Sequence, residues 1–216
     1  MKLTALTARL GLGFVMFGSL PALAGGQGAL IQLRVSVFNS SPISSSIIER
    51  AEGEAGRVLR GVGIEAIWLN CPQEISQETS LGRCSEASFP SHLHLHILRV
   101  SHGLKVSTVG ISFSDEDGRG CYADLFYEPI QQLQEETHAS PSVILGHAMA
   151  HELGHLLLGT NSHSPGGLMR AHWTGEDLAN ASKGNLRFSR EQSLRIMNRI
   201  GKVDPGDAQT AVMARN

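Results

Sequence analysis

The run His151-Glu152-Leu153-Gly154-His155 constrains this chain more than any other feature in it. Read on a helix, two histidines four residues apart stand on one face, one turn apart. Two imidazoles so placed can grip one metal ion, and the carboxylate beside the first can act as a general base. The flanks Val143-Ile144-Leu145 and Leu156-Leu157-Leu158 are apolar. A helix with such flanks is largely buried, where two unpaired histidines and a glutamate are costly. That argues against the plainer alternative, a helix that shows two polar residues to solvent. Gly159, His163 and Met169 follow. His163, after a glycine turn, is expected to complete a site of three protein ligands with one open position, as a reactive zinc requires and a structural zinc does not.

The rest of the chain suits such a site. Its 216 residues, 41% hydrophobic, are enough for one globular domain with a sizeable core. A net charge of −2 without a basic excess or a charge run excludes nucleic acid and anionic membrane surfaces as expected partners. Residues 1–24 read as a signal peptide. Lys2 and Arg9 give the positive start, an apolar run fills 10–20, and Ala22-Leu23-Ala24 offers a cleavage site. The alternative is an N-terminal helix of the core. Export to the periplasm or beyond is expected, with cleavage near Ala24, no membrane insertion of the mature chain, and no cysteine positioned to carry a lipid. Few residues then separate the cleavage point from the first strand, so no inhibitory pro-segment is expected. Export favours disulfides. Cys71 and Cys84 flank a polar loop and are expected to pair, leaving Cys121 buried and inert.

Alternation of apolar and polar residues predicts a strand over 30–38, and an apolar stripe predicts a helix over 44–61. Further strands are expected over 64–69, 93–100, 105–113 and 120–127. The motif helix is expected over 141–158, with Ser140 as its cap. Residues 159–183 read mostly as loop, 188–200 as a last helix with Ser189 as cap, and 204–216 as a disordered tail. This order predicts a mixed α/β (α+β) sheet with helices on one side.

Together the element order and the helix motif resemble the metzincin clan of zinc peptidases, which includes matrixins and astacins. The clan pattern is H-E-x-x-H-x-x-G-x-x-H, then a methionine in a tight turn below the metal. Here Gly166-Gly167-Leu168-Met169 resembles that Met-turn, and His163-Ser164 resembles the His-Ser of matrixins. The chain departs from the pattern in one respect: its glycine falls one residue late and its third histidine two, with Asn161 at the usual ligand position. Met169 stands as far from His155 as in matrixins, so the histidine is displaced inside a loop of unchanged length. The resemblance implies a twisted sheet of about five strands, a long N-terminal helix, an active-site helix, a Met-turn and a C-terminal helix, all within a domain over 25–203. It also implies a monomeric zinc endopeptidase acting on peptides or proteins. His151, His155 and His163 would hold Zn²⁺, Glu152 would be the base, and Met169 an apolar floor. The peptide would add to the edge of the 105–113 strand, and residues 170–187 would wall the pocket beyond the scissile bond.

Other residues leave alternatives open. His147 is one turn before His151, as a fourth ligand or a hydrogen-bonded core histidine. His92, His94 and His96 alternate on a strand, as a second metal clasp or a solvent-facing row. His172 could donate to a reaction intermediate or sit on a surface loop. Asp124 and the acidic turn at 115–117 could bind calcium or be solvated charges. Trp68 is expected in the core. Glu176, 21 residues beyond His155, could replace His163 as third ligand in the manner of gluzincins such as thermolysin. A secreted zinc-holding module without turnover is the remaining alternative.

Overall fold

The computed structural model describes residues 30–72, 84, 86–100 and 108–201. The segments read as signal peptide and tail, most of the polar loop after Cys71, and residues 105–107 of the expected fourth strand lie outside the described residues.

Nine residues of alternating character form β1 (Ile31–Asn39), and its inward set Leu33, Val35 and Val37 is buried. Helix α1 (Ser45–Arg60) buries Ile48, Ala51, Ala55, Val58 and Leu59 along one stripe. The chain then turns at Gly63, whose φ of 92° suits glycine, and returns as β2 (Ile64–Cys71), parallel to β1. β3 (His92–Leu98) pairs parallel with the other side of β1. β5 (Tyr122–Phe126) pairs parallel with β3, and β4 (Gly110–Phe113) runs antiparallel beside β5. The resulting order β2-β1-β3-β5-β4 leaves β4 at an edge of the sheet among the described residues.

Next come α2 (Tyr127–Thr137), the motif helix α3 (Pro141–Leu158), α4 (Gly175–Ser182) and α5 (Arg190–Ile200). α3 is buried almost all round, as its apolar sequence requires. It crosses α1 closely at Gly146, where a Cβ would come within 2.5 Å of the Ala51 carbonyl oxygen. The expected mixed sheet with two long helices against its apolar face is therefore the fold observed. The Cys71–Cys84 disulfide is formed, with Cα atoms 6.1 Å apart.

Several readings need correction or refinement. α2 lies where no element was expected: its sequence is mostly polar, it buries only Pro129 and Ile130, and its proline sits in the first turn, where a missing N–H costs nothing. α4 interrupts the segment read as loop. Its eight residues are held by a capping box, in which Thr174 accepts from the Asp177 amide and the Asp177 side chain accepts from the Thr174 amide. Ser140 is the N-cap residue of α3 as expected, but its hydroxyl pairs with that of Ser142 at 2.9 Å and makes no side-chain cap bond. Ser189 does cap α5, together with Gln192. Cys121 is a free thiol but only half-buried, and Trp68 packs against the margin of the core.

Candidate metal centre

α3 carries three of the four residues singled out by the motif. His151 and Glu152 are 8% and 5% exposed, and His155, one turn on, is half-buried. At Gly159, with φ 77°, the helix stops and the chain turns out into the loop that carries His163. His163 is exposed, yet it returns to the helix: its ring centroid lies 4.6 Å from that of His155 and 5.6 Å from that of His151. One ring nitrogen from each of the three histidines lies within 4.8 Å of the others.

The hydrogen bonds decide which nitrogens face inward. The Leu168 carbonyl can only accept, so His151 Nδ1–H donates to it at 2.7 Å and Nε2 carries the lone pair. His155 Nδ1 pairs with the Ser162 hydroxyl at 2.5 Å, which leaves its Nε2 only 3.0 Å from that of His151. Two imidazole nitrogens so close, each with its outer nitrogen tied, are arranged to share a cation. Burial favours the neutral rings that bind metal. It pushes His151 down to about 4, and it pushes His155 to about 3 with help from His151 and His163. His163 is lowered by burial and then by His172. The donor set fits zinc, for which three imidazoles with an open corner are a common arrangement.

Glu152 points at β4. Its carboxylate accepts from the Ser112 hydroxyl at 2.8 Å, and a Cβ on Gly110 would meet its carboxyl atoms at 2.7–2.8 Å. Burial raises it to about 7, against the lowering effect of Ser112. That is near the value a general base needs.

Met169 is fully buried. Its sulfur packs under α3, 2.7 Å from where a Cβ on Gly154 would stand. The turn around it is closed by Arg170 N–H donating to Gly167 O, and Gly167 has φ 76°. The turn also ties the site together. Leu168 O accepts from both His151 and the Trp173 indole, and Met169 O accepts from Ser164 N–H, next to His163.

The remaining candidates fall elsewhere. His147 is fully buried and bonded through Nδ1 to Val143 O at 2.8 Å, outside the cluster. Glu176 is exposed on the first turn of α4 and does not join the three imidazoles. His92, His94 and His96 form no metal-capable group among the described residues. Nor is their row simply solvent-facing: His92 and His94 are buried, and His92 Nε2 pairs with Ser36 Oγ at 2.8 Å. Asp124 faces His96 at 3.6 Å, and in the acidic turn Asp115 accepts from the Arg119 amide. His172 lines a cavity of about 490 Å³ beside the cluster, with Val109, Leu133, Ala148 and Trp173 as apolar walls. A second cavity of about 410 Å³ on the loop side is lined by Ser112, Ser114 and the 159–163 loop. Ser112, Gly110 and Ser162 were not singled out in the sequence. The first two touch Glu152 only through the fold, and Ser162 had a single signal, the extra length between Gly159 and His163.

No protein-family model matches the chain, and no curated protein sequence matches it. Solved structures do. An archaemetzincin from Methanopyrus kandleri is similar with a TM-score of 0.45 and 16% identity, over 82% of this chain and 98% of that one. A zinc-dependent peptidase from Methanocorpusculum labreanum is similar with a TM-score of 0.50 and 12% identity, over 75% of this chain and 99% of that one. The second likeness shows a shared fold.

Proposed function

We propose that this protein is an exported zinc-dependent endopeptidase of matrixin-like arrangement, held by His151, His155 and His163 and using Glu152 as base. The observation that carries the reading is the convergence of three imidazoles on one point, with a buried carboxylate beside them and a cavity open in front. A structure of the same fold is described as a zinc-dependent peptidase, which supports it. Zinc in this position supplies a Lewis acid that polarises a peptide carbonyl and lets water lose a proton near neutral pH.

The chain's own residues account for the rest. An extended peptide pairs with the edge strand β4, where backbone hydrogen bonds align it without regard to sequence. The apolar cavity walled by Leu133, Ala148 and Trp173 takes one of its side chains. Glu152 accepts the proton of the attacking water as the new C–O bond forms. It returns that proton to the amine as the C–N bond breaks. The acceptor has to face the water, and the Ser112 hydroxyl together with the close approach of Gly110 aims it. The signal peptide and export belong to the same reading, and the Cys71–Cys84 bridge is consistent with an oxidising compartment.

The test is cleavage of casein and of a mixed peptide library by zinc-loaded protein. Activity that a chelator removes and zinc restores is expected, together with a Glu152→Ala variant that keeps zinc and is inert. Tight zinc without any cleavage would instead identify a binding module. Sequencing the N-terminus of the exported protein should find Gly25 first.

A further inference from the structure

We infer that Ser162 is the positioning residue that presents His155 to the metal, and that the long spacer between Gly159 and His163 exists to deliver it. The inference rests on the metal reading proposed above but concerns a residue that the reading does not need.

The spacer holds Thr160, Asn161 and Ser162. Arg195 of α5 donates to Thr160 O at 2.6 Å and pins the start of the turn. Asn161 adopts a left-handed conformation, φ 54°, which asparagine tolerates better than most residues and which reverses the chain. Thr160, Asn161 and His163 are all exposed, whereas Ser162 is turned inward and 7% exposed. Its hydroxyl lies 2.5 Å from His155 Nδ1, the ring nitrogen that faces away from the cluster. A direct run from the glycine to the third histidine would leave no residue to point there.

The two helical ligands are thus secured differently. His151 is fixed by a backbone carbonyl, which admits one tautomer only. The partner of His155 is a hydroxyl, which can donate to Nδ1 or accept from it. When it accepts, Nδ1 holds the proton, Nε2 is free for zinc, and the ring is held in the plane that faces His151 and His163. When it donates, His155 Nε2–H can bond to the lone pair of His151 Nε2, 3.0 Å away, so the pair stays satisfied without metal. One side chain therefore serves both forms of the site. Outer partners of metal-bound histidines are commonly worth 10–100-fold in affinity.

The experiment measures zinc affinity by competition with a chromophoric chelator, and the melting temperature of the metal-free protein, for wild type, Ser162→Ala and Ser162→Thr. The expected result is affinity about 10–100-fold weaker in Ser162→Ala, a small fall in its metal-free melting temperature from the lost hydroxyl bond, and both restored in Ser162→Thr, which keeps the hydroxyl. Asn161→Val, which disfavours the left-handed turn, should weaken zinc binding as well while leaving Ser162 itself in place. Wild-type affinity in Ser162→Ala overturns the inference. So does a loss of affinity that Ser162→Thr does not restore. A wild-type protein that binds no zinc overturns the proposed function instead, so the two failures are distinct.

Discussion

His151 and Glu152 lie on a helix buried on almost every side, whereas His163 stands exposed on a loop between that helix and the Met-turn. The first pair is positioned by the core. Leu145, Met149, Leu153 and Leu156 of the same helix are fully buried, so the ligand geometry there is a by-product of packing. His163 has no such support and is placed by a few backbone bonds, among them Ser164 N–H to Met169 O at 2.9 Å. The contrast shows how a single site can combine a rigid half, which carries the proposed base and two of the proposed ligands, with a half that rests on a loop. Of the two extra residues before His163, one lengthens the end of α3, which runs to Leu158, and one lies between Gly159 and His163.

Several substitutions can break or sharpen that contrast. Removing a ligand from either half should abolish tight zinc binding, but the apo proteins should differ. His151→Ala empties a buried site and leaves Leu168 O with one donor fewer, so the metal-free protein should melt below wild type. His163→Ala alters an exposed loop, so the metal-free protein should melt with it. Equal melting of the two would remove the distinction between the halves. Gly110→Ala comes next. The new Cβ would stand 2.7 Å from the Glu152 carboxyl, which is the movable end of a side chain. The base should be displaced with little loss of stability, and turnover should fall by about 100-fold while zinc content is unchanged. Kinetics on zinc-loaded protein, with elemental analysis in parallel, checks both.

A smaller effect separates two glycines. A Cβ on Gly154 would meet the Met169 sulfur and the Phe188 ring at 2.7 Å, and Gly154→Ala should cost about 1–3 kcal/mol in urea unfolding. Gly166 has open space where a Cβ would go, and Gly166→Ala should stay within about 0.5 kcal/mol of wild type.

A pH dependence is also expected away from the site, on α1. Burial raises Glu52 to about 7 from its ordinary 4.5, with Asn70 opposing and Glu49 assisting. The folded protein therefore holds this proton more tightly than the unfolded chain does. The resulting stabilisation is complete below about 4.5 and is lost as pH rises toward 7. Glu52→Gln should flatten that decline, as measured by urea unfolding at pH 5 and pH 8.

The elements legible in the sequence were those with a strong period or a strong stop. α3 had apolar flanks, Pro141 and Gly159; α1 had its stripe and Gly63; the inner strands had alternation. α2 was not legible because it is held at its start by Pro129 and Ile130 while its remaining surface is polar, which leaves little periodic signal. α4 did leave one, since Thr174 and Asp177 have capping-box spacing, but eight residues with only Leu178 and Ala181 as buried apolar positions read as loop. At the site, spacing alone suggested which imidazoles meet. Spacing could not reveal Ser112, 40 residues from Glu152 and brought to it by a sheet edge. The buried state of His92 and His94 was likewise invisible, because alternation on a strand does not say whether the second face is covered.

The central claim is that three imidazoles and no other protein group hold one zinc ion. X-ray absorption at the zinc edge of the loaded protein tests it most directly. Three nitrogen neighbours at about 2.0–2.1 Å, plus one oxygen from solvent, are predicted. A fourth imidazole, as His147 would supply, a sulfur neighbour, or only two nitrogens would contradict it.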